Sequence, residues 1–199
     1  DAAEDGRITF THNAPTSPDT VHVQGDGVAP SIAIAPSPLL FGAVPVFSTK
    51  ADSLVVTNPG NATLTITSIV CSNPPAFVVE EAGPVTVAPG NSTRIHVTFQ
   101  PALVSSQQGR ITFTHNAPTS PDTVHLQGNG VDVAPPVVNL TAPDGGEVWN
   151  IGSSQNITWT ATDNLAVTSV DLAYSTDGGA TFPNVIATAI ANTSPRAWT

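Results

Sequence analysis

Five histidines are the side chains of this sequence best suited to acid–base or metal chemistry. His12 and His115 lie where predicted strands end. His22, His96 and His125 alternate with apolar neighbours on predicted strands. Alternation turns these side chains toward solvent, and no pair has the close i, i+2 or i, i+4 spacing of a metal site. We therefore predict a surface position for all five histidines.

Acidic and amide side chains beside two turns form a second candidate. Asp144 and Glu147 flank one turn, and Asp163 and Asn164 lie at another. Their oxygens could ligate Ca²⁺, which prefers several carboxylates in its shell. No EF-hand spacing is present, and ordinary Asx turns are the favoured explanation of the same residues. Ca²⁺ is thus the only cofactor that the sequence suggests, and the turn interpretation stays open beside it.

The aromatic residues of the last third of the chain allow carbohydrate binding. Trp149 lies beside a turn, where an exposed ring could stack on the sugars of a surface polysaccharide. The alternative is a tryptophan-centred sandwich core, and the alternating pattern around Trp159 predicts that position inside. Cys71 has no cysteine partner, so a disulfide framework is excluded, and we expect it to be a half-buried apolar residue.

Charge and motif content exclude several functions. The 199 residues carry 15 acidic against five basic side chains, a net charge of −10. This balance argues against nucleic acid as a partner and against anionic membrane surfaces. No apolar run approaches the ~20 residues of a spanning helix, so no membrane insertion is expected within this segment. Nucleophile-elbow, zinc-protease, P-loop and dinucleotide motifs are missing, which predicts that the chain is not an enzyme.

The elements that carry these residues are short β-strands. Nineteen prolines and fifteen glycines divide the chain into pieces whose apolar residues alternate with period two. In residues 63–71 the alternation shifts by one, which predicts a bulge near Thr67 and Ser68. Later in the chain the same alternation directs Val138 and Leu140 inward. The predicted fold class is all-β, built as tandem immunoglobulin-like antiparallel β-sandwiches.

One stretch occurs twice and sets the domain boundaries. Residues 6–28 and 109–131 match at all but two of 23 positions, Val23/Leu126 and Asp26/Asn129, and lie 103 residues apart. Such near-identity indicates tandem duplication of a module that closes with this hairpin. We predict the closing hairpin of an incomplete module at 1–28, a complete module at 29–131, a proline-rich linker at 132–136, and a different, C-terminally incomplete module at 137–199.

The first copy raises a question of strand pairing. Its inward-facing residues are Ile8, Phe10, Val21 and Val23, and a lone hairpin cannot bury them. The missing strands are expected from residues outside this sequence or from another chain by strand complementation. Neighbouring modules or other copies of the same chain are therefore the expected partners.

The complete module resembles a known family. The residues that carry the likeness are the Phe41-Gly42 entry, the TNPGN turn at 57–61, the APG turn at 88–90 and the LQGNGV close at 126–131. They are similar to the choice-of-anchor D / ASPM-SPD-2-Hydin (ASH) group of immunoglobulin-like domains. The resemblance implies a sandwich of seven or eight strands, used for structure or docking and without catalytic residues.

The last module resembles bacterial extracellular immunoglobulin-like or fibronectin-III-like modules, through PDGGEVW at 143–149 and DLAYSTDGGATF at 171–182. It is also similar to the N-terminal module of a yeast cell-wall glucan-assembly family. We predict a non-catalytic segment of a large secreted or cell-surface repeat protein, bacterial in composition, acting as stalk, fibre or adhesin. The alternative is an accessory, carbohydrate-binding region of a secreted hydrolase.

Overall fold

The structure is a computed structural model that describes residues 3–199. The described residues form β-strands joined by turns and loops, which confirms the all-β immunoglobulin-like prediction. The chain separates into two compact units, which divide after Asp132. None of the described residues forms a helix long and apolar enough to cross a bilayer.

The first unit contains a hairpin followed by a two-sheet sandwich. Its strands are β1 Ala3–Phe10, β2 Asp19–Asp26, β3 Ala33–Ala35, β4 Leu39–Pro45, β5 Lys50–Thr57, β6 Leu64–Cys71, β7 Phe77–Val79, β8 Val85–Val87, β9 Ser92–Phe99, β10 Ser106–His115 and β11 Asp122–Val131. One sheet has the order β4-β11-β10-β6-β8 and the other the order β3-β5-β9-β7. The β1-β2 hairpin forms a two-stranded sheet of its own.

The sandwich core is apolar and centred on aromatic rings. Phe41, Phe77 and Phe99 are fully buried and contact one another, with the Phe77 and Phe99 rings stacked at a centroid distance of 4.8 Å. These rings come from three strands that belong to the two sheets. Each strand alternates inward and outward side chains, and each of the three rings lies at an inward position. Aromatic packing of this kind adds to the burial of apolar area and fixes the spacing of the sheets.

A bulge in β6 confirms the predicted shift of alternation. Opposite β10, Thr114 pairs with Ser68 and His115 pairs with Ile66, so Thr67 is the extra residue. The bulge lets Ile66 and Ile69, three residues apart, both point into the core.

The prediction that all histidines face solvent is wrong for His115. β10 continues to this residue, so His115 lies on the same inward face as Ile111 and Phe113 and its side chain is inaccessible to solvent. The strand is longer than the local sequence suggests because β6 pairs with it up to that point.

A buried asparagine fastens the turns at one end of the sandwich. Asn58 is inaccessible to solvent, and its Nδ2 donates to the carbonyls of Ala62 at 2.8 Å and Val87 at 2.9 Å. Its Oδ1 accepts from the backbone N–H groups of Ser31 at 3.2 Å and Gly60 at 3.1 Å. All hydrogen-bonding positions of the amide are thus used, and they join three segments of the chain: the stretch before β3, the turn after β5 and the end of β8.

The second unit has a smaller core. Its strands are β12 Val137–Ala142, β13 Gln155–Thr162, β14 Val170–Tyr174, β15 Asn184–Ile190 and β16 Arg196–Trp198. They form a β12-β13-β16 sheet and a β14-β15 hairpin. Ile157 and Trp159 are buried as predicted, and the Trp159 indole N–H donates to Asn192 Oδ1 at 2.9 Å. Val138 and Leu140, however, remain 61% and 50% exposed, because they line an open groove beside Trp159.

Candidate interaction surfaces

The two hairpins have the same strand register. In the first copy Ile8 pairs with Val21, and in the second copy Ile111 pairs with Val124. The same offset holds along both pairs of strands, down to Gly6 opposite Val23 and its counterpart Gly109 opposite Leu126. The hairpin therefore has one conformation whether or not a sandwich packs against it.

The two hairpins differ sharply in the burial of their apolar faces. The apolar face of the first hairpin, which we call the free face, is about half exposed: Ile8 48%, Phe10 54%, Val21 50% and Val23 42%. The equivalent residues of the second hairpin are almost inaccessible: Ile111 0%, Phe113 0%, Val124 1% and Leu126 1%. Three of these four positions carry identical side chains in the two copies, so the difference in their burial comes from the strands that surround the second hairpin.

The second hairpin is enclosed on both edges and on one face. β10 pairs antiparallel with β6, and β11 pairs parallel with β4. The Phe99 ring lies so close to Gly128 that a Cβ there would be 2.4 Å from a ring carbon. At Gly25, the matching position of the first hairpin, a Cβ would meet nothing within 4 Å.

The tips of both hairpins repeat the same hydrogen bonds. The His12 backbone N–H donates to Ser17 Oγ at 2.8 Å, and the Ala14 N–H donates to His12 Nδ1 at 3.2 Å. His115 makes the equivalent bonds with Ser120 and Ala117, at 2.9 Å and 3.2 Å. Local side chains therefore fix the tip without help from the sandwich.

The histidine–carboxylate contact at the tip differs slightly between copies. His12 Nε2 lies 2.9 Å from Asp19 Oδ2 in hydrogen-bonding geometry. In the buried copy, His115 Nε2 lies 3.2 Å from Asp122 Oδ2, at an angle that makes no hydrogen bond. A hydrogen bond needs alignment as well as proximity, so the buried His115 ring and the Asp122 carboxylate are close neighbours without a hydrogen bond.

The connection from the first hairpin to the sandwich is fixed by one asparagine. Asn61 Oδ1 accepts from the Ala29 N–H at 2.8 Å, and Asn61 Nδ2 donates to the Gly27 carbonyl at 3.1 Å. Gly60 is required here, because a Cβ would lie 2.5 Å from the Ala29 carbonyl oxygen. The hairpin therefore leaves the sandwich at the turn that follows β5.

The second unit brings three aromatic side chains together. Trp149 packs against Trp198 at a centroid distance of 6.0 Å in an edge-to-face arrangement, and Tyr174 lies 5.3 Å from Trp198. Trp149 and Trp198 are half-buried and Tyr174 is exposed. The two tryptophans line a shallow depression together with residues 150–153 and Gln155. The carbohydrate candidate Trp149 thus belongs to an aromatic cluster.

The acidic candidates for Ca²⁺ are held by backbone groups of their own loops. Glu147 accepts the N–H groups of Asp144 at 2.7 Å and Gly145 at 2.9 Å. Hydrogen bonds at its own backbone and from Asp144 hold the pKa of Glu147 below its usual value. Asp163 Oδ1 accepts the Leu165 N–H at 3.1 Å, the contact of an Asx turn. Asn164 is exposed.

No three of the acidic or histidine side chains in these loops, all of them described residues, meet within 4.8 Å of one another. The Ca²⁺ site at Asp144, Glu147, Asp163 and Asn164 stays a prediction from the sequence. In a nearby turn, hydrogen bonds from the Ser175 and Thr181 side chains lower the pKa of Asp177 well below its usual value. The Asp177 carboxylate thus also accepts its hydrogen bonds from groups of its own loop.

The complete sandwich has a recognised family. A family model described as "HYDIN/CFA65/VesB-like, Ig-like domain" matches residues 30–129, half of the chain. The chain belongs to this family. The match supports the ASH-like immunoglobulin part of the sequence-based resemblance, whereas its choice-of-anchor D part stays a prediction. No curated protein matches the sequence.

Several solved structures are similar to this chain at low identity. A Porphyromonas gingivalis W83 protein of unknown function is 17% identical over 64% of this chain and 66% of its own, with a TM-score of 0.45. The ASH / PapD-like domain 7 of human CEP192 is 10% identical over 63% of this chain and 98% of its own, with a TM-score of 0.44. The Vibrio cholerae VesB protease is 21% identical over 51% of this chain, with a TM-score of 0.42. Only 32% of the VesB chain is covered.

The HYDIN/CFA65/VesB-like module also carries an acid–histidine group that the sequence pattern does not reveal. Glu81 accepts the His96 backbone N–H at 2.8 Å and contacts His96 Nδ1 at 2.7 Å, and Glu80 lies alongside. His96 and Glu80 are exposed, and Glu81 is half-buried. Fifteen residues separate Glu81 from His96, so the contact depends on the β7-β9 pairing rather than on local spacing. The contact fastens the loop after β7 to β9.

Proposed function

We propose that this chain is a non-catalytic structural segment of a large secreted or cell-surface repeat protein, acting as stalk, extracellular fibre or adhesin. The observation that carries the proposal is the hairpin that recurs in the same register 103 residues later. In this proposal residues 1–28 close one module, residues 29–131 form the next, and residues 137–199 begin a module of a second type. Modules in series suit a spacer or a display surface.

The interior of the complete module supports this function. Its buried core consists of apolar side chains from every strand of both sheets except β3, whose Ile34 is half-buried and packs against that core. The buried polar side chains among the described residues are Asn58, which is hydrogen-bonded to neighbouring segments, and His115, whose Nδ1 accepts the Ala117 N–H of its own turn. The acidic, lysine-poor composition agrees with a protein exported by a bacterium.

The shape of longer polypeptides tests this proposal. We expect the maximum dimension from small-angle scattering to grow in equal increments as residues 30–131 are repeated once, twice and three times. A particle that stays compact as modules are added would contradict a stalk or fibre. The measurement uses only the complete module, so it does not depend on the first hairpin.

A second candidate function is an accessory, carbohydrate-binding region of a secreted hydrolase. The observation that favours it is the partly buried aromatic cluster of Trp149, Trp198 and Tyr174, whose two tryptophans line a depression. Aromatic rings with one accessible face stack on the apolar faces of sugars and keep polar atoms free for hydrogen bonds.

Trp149→Ala is the direct test of this second candidate. We expect the variant to lose about tenfold in affinity for a polysaccharide that binds the parent chain, about 1.4 kcal/mol of binding free energy. Affinity electrophoresis in gels containing cell-wall glucans measures the change. Phe182→Ala is the matched control, because Phe182 is 60% exposed and lies outside the aromatic cluster. Equal binding by both variants, or no binding by the parent, would remove this function.

A further inference from the structure

Two consecutive glutamates converge on one histidine at the surface of the complete module. Glu80 and Glu81 follow β7, and His96 lies in β9. One oxygen of each carboxylate and one ring nitrogen of the histidine lie within 4.8 Å of one another. Two oxygen donors and one imidazole nitrogen at this spacing form a set of ligands that divalent metal ions bind in proteins.

The backbone of His96 holds both glutamates in place. The Glu80 N–H donates to the His96 carbonyl at 3.2 Å, and the His96 N–H donates to Glu81 Oε2 at 2.8 Å. Neighbouring residues of a regular strand point to opposite faces and cannot share a ligand. Here β7 ends at Val79 and the chain bends at Glu80, so both carboxylates reach the same ring.

Basic side chains do not balance the charge of this group. Glu81 Oε1 contacts His96 Nδ1 at 2.7 Å, and this ring is charged only when it is protonated. Arg94, two residues before His96, donates to Ser53 Oγ at 3.1 Å instead. Among the described residues, no lysine or arginine forms an ion pair with Glu80 or Glu81. Two carboxylates held close together repel each other, and a bound cation removes that repulsion.

We propose that Glu80, Glu81 and His96 bind a divalent transition-metal ion, with Zn²⁺ as the preferred ion. The imidazole nitrogen favours Zn²⁺ over Ca²⁺ and Mg²⁺, which select oxygen ligands. Two ligands of a tetrahedral Zn²⁺, each about 2.0–2.1 Å from the ion, lie about 3.3 Å apart. From the observed distances, Glu81 Oε1 and His96 Nδ1 separate by about 0.6 Å, and Glu80 approaches by at most about 1.5 Å.

The remaining contacts of the three side chains suit a metal site. Binding displaces the proton between His96 Nδ1 and Glu81 into solvent, and the neutral ring keeps its other proton on Nε2. Glu81 Oε2 stays bonded to the His96 N–H, which orients the carboxylate from outside the coordination shell. Three protein ligands leave a fourth position for water. The bound ion then ties the loop after β7 to β9 and stabilises the module.

Zinc binding by the full chain tests the proposal, with Cys71→Ser in every protein so that the thiol cannot bind the ion. We expect isothermal titration calorimetry to show one Zn²⁺ per chain and at least about hundredfold weaker binding of Ca²⁺. Glu80→Gln keeps the Glu81–His96 contact, yet it should weaken Zn²⁺ binding at least about tenfold, because one ligand is lost. His96→Gln should abolish binding. His125→Gln is the matched control, since His125 is an exposed histidine of the other sheet, and it should bind like the parent.

Thermal unfolding separates metal binding from a change in the fold. With saturating Zn²⁺, the circular dichroism transition of the parent should rise by about 5 °C or more, whereas that of Glu80→Gln should not move. Without added metal, Glu80→Gln should unfold no earlier than the parent, because it relieves the repulsion between the carboxylates. Equal Zn²⁺ affinity in Glu80→Gln and the parent, or no saturable binding by the parent, would overturn the proposal. Ca²⁺ binding as tight as that of Zn²⁺ would also overturn it.

Discussion

Replacing Phe113 with alanine lowers the free energy of unfolding of the complete sandwich by about 4 kcal/mol, whereas Phe10→Ala changes it by less than about 0.5 kcal/mol. The two residues occupy the same position in duplicate hairpins. Phe113 is inaccessible to solvent, and its loss removes ring contacts and leaves a cavity that rigid sheets cannot close. Phe10 is 54% exposed, because no second sheet in the described part of the chain packs against the face of the hairpin on which it lies.

Urea unfolding of the full chain measures this difference. All three tryptophans lie in the second unit, so their fluorescence follows that unit alone and serves as an internal reference. Far-UV circular dichroism follows both units, and the Phe113→Ala transition should move while the fluorescence transition stays in place. Equal shifts for the two phenylalanine variants would mean that the first hairpin is also packed in a core.

Asn58→Ala is expected to cost about 3–5 kcal/mol, although it removes only a small polar side chain. The buried Val87 carbonyl loses its partner, as do the partly buried Ala62 carbonyl and the N–H groups of Ser31 and Gly60, and each unpaired group that water cannot reach costs about 1–3 kcal/mol. Asn58→Asp keeps the shape but turns a donor toward two carbonyls into an acceptor. At neutral pH we expect it to destabilise the module at least as much as alanine does.

Thermal unfolding followed by circular dichroism tests the role of Asn58. Asn91→Ala is the matched control, since Asn91 is exposed and contacts Asn58 only through its backbone carbonyl, at 2.9 Å. The control should leave the transition within a few degrees. The Asn58→Ala transition should fall by roughly 15 °C or more, as expected for a domain of about 100 residues. A shift of similar size in both variants would contradict the central role of the amide.

The alternation of apolar and polar residues along the sequence predicts most of the strands and the side chains that face the core. The shift near Thr67 is visible as a change of parity in the sequence, and the structure places the bulge there. The TNPGN turn is also visible, but the burial of Asn58 is not. That burial depends on Val87 and Ser31, which lie about thirty residues away on either side and meet only when the sheets pack.

The duplicated stretch shows directly why sequence cannot decide burial. His12 is exposed and His115 is buried, although the six residues before each histidine and the ten after it are the same. The difference comes from β6 and β4, which pair with one hairpin and not with the other. A parallel pairing between β4 and β11, some ninety residues apart, leaves no trace in the local pattern. The same limit explains Val138 and Leu140. Their alternation places both on one face of β12, but the rest of the second unit covers that face only in part.

The matched register of the two hairpins has a genetic consequence. A crossover between the two coding stretches falls within strands that are nearly identical in sequence and conformation. The product gains or loses one unit of 103 residues, and every remaining hairpin still carries the glycines and the apolar face that packing in a sandwich requires. The length of such a protein can therefore vary among descendants without any new junction having to be selected for folding.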